Sequence, residues 1–208
     1  GFNVDWGSSR CIAWGSRGQC LLWCLMTGQL LEKLVGHSQA ISGMACSWEK
    51  ERVLSYGAGP LCLWSLSSGP LCSHLLGHSD VVAGVEVSWE EDRAVSWADD
   101  STLRLWDLKE RVCLCEFRGH AGPVWSAQVD WDGGRMLSYS FAQRVLFLWD
   151  LKTGEPQKFP LGQKVIAWTG GAEVDWAMWL LLGASTTMRS LWPIFVPEPS
   201  ASFVAPLQ

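Results

Sequence analysis

The sequence predicts an all-β fold assembled from repeated four-stranded antiparallel units, and three observations predict it. The first is a period: Leu22-Trp23, Leu63-Trp64, Leu105-Trp106, Leu148-Trp149 and Leu191-Trp192 are separated by 41, 42, 43 and 43 residues, and self-similarity near forty residues marks a repeat architecture. The second is that other aromatic series keep the same phase. Trp6, Trp48, Trp89, Trp131 and Trp176 recur at 42, 41, 42 and 45 residues, and Trp14, Tyr56, Trp97 and Tyr139 form a third set. The third is that each period holds short alternating runs between turn signals, with no 3.6-residue pattern anywhere.

The period from Gly77 to Phe117 is the clearest. Val81 to Ser88 alternates Val85 and Val87 with Glu86, which predicts a strand, and Glu90-Glu91-Asp92 is a polar turn. Arg93 to Trp97 is a second strand, followed by the turn Ala98-Asp99-Asp100. Thr102 to Trp106 sets Leu103 and Leu105 opposite Arg104, and Val112 to Phe117 closes the unit. A single such sheet cannot bury both faces. Radial stacking of sheets does, with large aromatics filling the wedge between neighbours and each removing on the order of 150–250 Å² from water. With Trp125 and Trp168, 43 apart, fourteen of the fifteen tryptophans take recurring positions, so most of the tryptophan is read as core.

Composition narrows the function classes. The 208 residues are 48% hydrophobic and 18% charged, with a net charge of −5 and no Lys/Arg run beside the aromatics, so nucleic acid is not an expected partner. The most apolar run, Trp176 to Ala184, is nine residues long, well short of the roughly 20 of a spanning helix, and no membrane association is expected. No signal peptide is recognisable. The eight cysteines include no Cys-x-x-Cys pair and lie mainly in apolar runs, as at Cys11, Cys20, Cys62, Cys72, Cys113 and Cys115; they read as buried thiols in a reducing, cytoplasmic setting. Cys113 and Cys115 share a strand face without a His, and His74 and His78 straddle Gly77, so neither pair predicts a metal centre and no cofactor is expected.

Gly36-His37, Gly77-His78 and Gly119-His120, followed in phase by Trp64, Trp106-Asp107 and Trp149-Asp150, resemble the WD-repeat β-propellers. The resemblance runs from about Val4 to Trp192. It implies a propeller of about five blades, at residues 2–35, 40–76, 81–118, 123–161 and 164–196, forming a domain over 1–196 before an irregular Pro-containing tail at 197–208. Propellers of this kind most often have seven blades, so the resemblance implies an incomplete arc of a larger ring, with self-association through its open blade edges. In the family a His, a strand Ser or Thr, a turn Asp and a strand Trp form a hydrogen-bonded tetrad. The third blade matches in full with His78, Ser96, Asp100 and Trp106. The second keeps His37, Ser55 and Trp64 but has Ala58 and Gly59 where Asp should stand. The fourth keeps His120, Ser138 and Trp149, with Gln143 near the Asp position, and the fifth has Gln163 for His.

His78, Ser96 and Asp100 also have the residue types of a nucleophilic triad. Their repetition at His37/Ser55 and His120/Ser138 favours scaffolding, because a catalytic set is needed once. The candidate partner-binding residues are Asp99, Trp125 and Trp168, which the resemblance sets on the rim where the family takes its partners; Ser42 and Ala83 are their small counterparts. The expectation is a non-catalytic scaffold that binds other proteins through this rim. A regulatory propeller array of a multidomain signalling NTPase or kinase is the alternative, and a propeller hydrolase a third reading. The inner runs ISGMACS, VVAGVEVS and VWSAQVD offer few acids for hydrolysis.

Overall fold

The short alternating runs form sixteen strands among the residues that the computed structural model describes, namely 1–67, 71–143 and 145–160. All belong to one unit, Gly1–Leu161. The first sheet holds β1 (Phe2–Asp5), β2 (Arg10–Trp14), β3 (Cys20–Cys24) and β4 (Leu30–Leu34); the second, β5 (Ile41–Ser47), β6 (Arg52–Gly57), β7 (Leu61–Ser65) and β8 (Leu71–Leu75). The third holds β9 (Val82–Ser88), β10 (Arg93–Ala98), β11 (Thr102–Asp107) and β12 (Val112–Arg118); the fourth, β13 (Ser126–Asp130), β14 (Arg135–Ser140), β15 (Val145–Asp150) and β16 (Pro156–Pro160). Every sheet is an antiparallel meander in sequence order, and the described residues contain no helix. The expected fifth unit at 164–196 and the tail at 197–208, with Gln163, Trp168, Trp176 and Trp192, lie outside the described residues.

Period-2 alternation divides the second and third sheets between two interfaces each. In the third sheet, Ala94, Ala98 and Trp106 face the second sheet and pack with Leu54, Leu61 and Leu63. Val95, Leu103 and Leu105 face the other way, toward Ala127, Val129, Met136, Phe147 and Trp149 of the fourth. The same division in the second sheet turns Val53, Cys62 and Trp64 toward Ile12 and Leu22 of the first. Trp64, Trp106 and Trp149 are each 1% exposed. The first strands converge, β5 beside β9 and β9 beside β13.

Some tryptophans depart from the expected core. Trp48, Trp89 and Trp131 pack against the three inter-sheet cores, but Trp6 of the same series is 81% exposed and Trp125 65% exposed. Trp6 belongs to the first sheet, whose far side carries no other described sheet, and Phe2, Met26 and Val35 are exposed with it. The recurrence of a position therefore guarantees burial only where a neighbouring sheet covers it.

Two members of a repeat of charged residues tie neighbouring sheets together. Arg10, Arg52, Arg93 and Arg135 each open the second strand of a sheet, after a residue in the left-handed region at Ser9, Glu51, Asp92 or Gly134. Arg10 lies 5.3 Å over the Trp48 ring and pairs with Glu51 at 2.9 Å, both in the next sheet. Arg52 repeats the arrangement one sheet on: it lies 5.6 Å over Trp89, pairs with Asp92 and donates to the Leu108 carbonyl at 3.2 Å. Replacing Arg52 with Ala removes the stacked stem, the ion pair and a carbonyl partner together. The expected cost is about 1–2 kcal/mol, read as a lower urea midpoint with an unchanged slope.

Candidate functional site

The polar set of the third sheet is assembled from the loop before β9, the middle of β10, the β10–β11 turn and the end of β11. Asp100 is the hub. Its carboxylate accepts from the Thr102 amide at 2.9 Å, the Thr102 hydroxyl at 2.7 Å, the Ser79 amide at 2.9 Å and His78 Nδ1 at 2.8 Å. His78 Nε2 then accepts from the Ser96 hydroxyl at 2.7 Å, and the Ser96 oxygen accepts from Trp106 Nε1 at 2.8 Å. This assignment gives every atom in the chain a partner and fixes the His78 proton on Nδ1. Burial pushes the Asp100 carboxyl up, but the bonds from Thr102, Ser79 and His78 outweigh it and hold the group below its ordinary value. Burial likewise pulls the His78 imidazole down, against the opposing pull of Asp100. A neutral imidazole beside a carboxylate results.

The second and fourth sheets repeat the Ser and Trp bonds. His37 meets Ser55 at 2.7 Å and Trp64 donates to Ser55 at 2.8 Å; His120 meets Ser138 at 2.7 Å and Trp149 donates to Ser138 at 2.8 Å. Both lack the carboxylate, and the consequence falls on one atom: His37 Nδ1 and His120 Nδ1 are shielded from water without a hydrogen-bond partner among the described residues. Gln143 takes over only part of the role of Asp100. Its side-chain oxygen accepts from the Ala121 amide at 3.0 Å, as Asp100 accepts from Ser79, but forms no bond to the ring. Burial pulls His37 down, with a smaller push from His74, and takes His120 down to about 4.

These sets have the residue types of nucleophilic catalysis without its accessibility. Ser55 and Ser96 are 0% exposed and Ser138 1%, and each serine oxygen is engaged by a His and a Trp. A reacting carbon needs to come within roughly 3–3.5 Å of the attacking oxygen, which here requires lifting a Trp out of the core. What the arrangement does chemically is fix the loops before β5, β9 and β13 to the sheets that follow.

The candidate partner-binding residues stand elsewhere. In the second and third sheets the first strand carries a bulge that leaves Ser42 and Ala83 without a partner in the register, and both are exposed. A bulge re-aims a side chain away from the sheet. Gly43 and Gly84, the next residues, sit under Tyr56 and Trp97; a Cβ at Gly84 would lie 2.2 Å from the Trp97 ring, so the close approach requires glycine. The fourth sheet carries Trp125 just before β13, with its amide donating to the Tyr139 carbonyl at 2.9 Å. Trp125 meets Phe141 edge-on at 5.1 Å, and Phe141 meets Tyr139 at 5.0 Å. Trp125 is 65% and Phe141 48% exposed. Asp99 is also exposed, and the Val124 amide donates to the Ala98 carbonyl at 3.1 Å, which brings the chain beside Trp125 to the turn that holds Asp99.

Phe141 was not among the sequence candidates. The available signal was its position two residues after Tyr139, in the turn that faces the start of β13. Trp168 lies outside the described residues. Comparison of the chain with protein-family models and with curated proteins finds no match. Among the described residues no helix is long and apolar enough to cross a membrane.

Proposed function

We propose that the four sheets are blades of a WD-repeat propeller and that the chain is a non-catalytic module that binds other proteins through the rim around Trp125. One observation carries the binding reading: two large aromatic side chains, Trp125 and Phe141, stay exposed in edge-to-face contact, and the positions equivalent to Trp125 in the second and third sheets are the small Ser42 and Ala83. Exposed aromatics held by backbone bonds are efficient anchors, because they offer area at low entropic cost. Asp99 at the adjoining turn favours a partner segment that presents an apolar residue near a basic one. The buried serines support a structural reading of the His, Ser and Trp sets. The eight cysteines, all free thiols, suit a cytoplasmic setting.

The test is selection from a displayed peptide library on the intact chain, followed by affinity measurements on variants. Trp125→Ala and Phe141→Ala are expected to weaken the selected peptides at least tenfold while changing stability by less than about 1 kcal/mol, since both rings are largely exposed. Selected peptides that bind both variants as tightly as the parent would refute the rim assignment.

A further inference from the structure

The antiparallel register of β7 on β8 pairs Cys62 with His74 and Trp64 with Cys72. Alternation then places Cys62, Cys72 and His74 on one face of the hairpin, the face that Trp64 turns toward the first sheet. The metal-ligating atoms of the three residues all lie within 4.8 Å of one another, with Cys72 Sγ at 4.0 Å from His74 Nε2. We propose that Cys62, Cys72 and His74 form a binding site for a single thiophilic divalent cation of the zinc class.

Donor chemistry, charge and access all fit that cation. Two thiolates and an imidazole are soft to borderline ligands, which select zinc over calcium or magnesium. Tetrahedral bonds of about 2.3 Å to sulfur and about 2.0 Å to nitrogen set neighbouring ligand atoms roughly 3.3–3.8 Å apart. The three atoms thus need to contract by about 1 Å or less. Cys62 is 0% exposed, Cys72 half-buried and His74 exposed. The site is anchored on its buried side and open on the other, where water supplies the fourth ligand. One cation displaces the protons of both thiols and leaves a locally neutral centre, which suits partial burial. His74 Nε2 lies 3.1 Å from the Gly36 carbonyl, a bond it surrenders if that nitrogen takes the metal. The other cysteines do not form a comparable group with His or carboxylates among the described residues.

The experiment is titration of the reduced full chain with Co(II) and competition by Zn(II), read by thiolate-to-cobalt charge-transfer absorption and by calorimetry. One equivalent is expected to bind, displaced by one equivalent of zinc, with a rise in melting temperature that grows with free zinc. Cys72→Ser and His74→Ala, both at sites with solvent access, are expected to lower affinity at least tenfold while the metal-free proteins melt like the parent; Cys11→Ser leaves it unchanged. No thiolate-to-cobalt band, or a band of equal strength and affinity in Cys72→Ser and His74→Ala, overturns the site. Cys62→Ser is the third variant, and its retention of parental affinity in a folded protein would also overturn it.

Discussion

Replacing Ser96 with Ala lowers the stability of the chain by about 2–4 kcal/mol. The change removes one oxygen and leaves almost no cavity, so the effect comes from the partners it abandons. His78 Nε2 loses its donor and Trp106 Nε1 loses its acceptor, and each buried polar atom left unpaired costs about 1–3 kcal/mol. Ser96 and Trp106 are 0% and 1% exposed, so water does not replace the lost oxygen without opening the core. A change of this size lowers the melting temperature by roughly 5–15 °C in a chain this long. Ser55→Ala and Ser138→Ala remove the same two bonds and are expected to cost a similar amount. Calorimetric melting of the three variants checks this. A loss of some activity in Ser96→Ala without any loss of melting temperature would favour the nucleophile reading instead.

Acid is expected to destabilise the fold well above the pH at which most carboxylates titrate. His37, His78 and His120 are all held below their unfolded value of 6.5, each chiefly by burial. A group with a depressed folded pKa contributes its full stability above the unfolded value and loses it as pH falls, because the unfolded state binds the proton first. For His120 the window runs from 6.5 down to about 4, a loss on the order of 3 kcal/mol at its lower end. His37 and His78 act with the same sign from 6.5 downward. Asp100, lowered from 3.8, begins to withdraw its own contribution only below that value. Urea midpoints measured from pH 7.5 to 4 are therefore expected to fall steadily below pH 6.5. His120→Gln should start lower at neutral pH and show a shallower fall. A flat profile across this range would refute neutral burial of the three rings.

The aromatic period made the sheets legible because it samples a recurring packing environment: a Trp at the end of the third strand meets the preceding sheet in the second, third and fourth sheets. The limits of the four strands in the third sheet could be read because Val85, Val87, Leu103 and Leu105 alternate cleanly with polar neighbours. Other features depend on which sheet stands next door. The arginine series at 10, 52, 93 and 135 was present in the sequence, yet charged residues read as solvated until the structure shows Arg10 and Arg52 crossing to the neighbouring sheet. The exposure of Trp6 has the same origin, since its position recurs and no described sheet covers it.

At the candidate site, His, Ser and Trp were legible from phase, whereas the role of Gln143 turns on the path of a longer turn. The sequence placed Gln143 near the missing carboxylate, and the structure gives it the amide of Ala121 but not the ring of His120. Phe141 escaped because turn residues carry no periodicity. Cys72 and His74 alternate visibly on one strand, but Cys62 joins them only through the register of the hairpin, which the sequence between the two strands does not specify.

The most direct measurement of the central claim, that the repeated His, Ser and Trp sets are a structural device completed once by Asp100, is nitrogen-15 NMR of the three imidazoles as pH is lowered. His78 is expected to carry its proton on Nδ1, bonded to Asp100 and protected from exchange, and His120 to stay neutral until about pH 4. Asp100→Asn should disturb His78 while leaving His37 and His120 unchanged. Three rings that titrate alike near 6.5, with no special signature at His78, would contradict the claim.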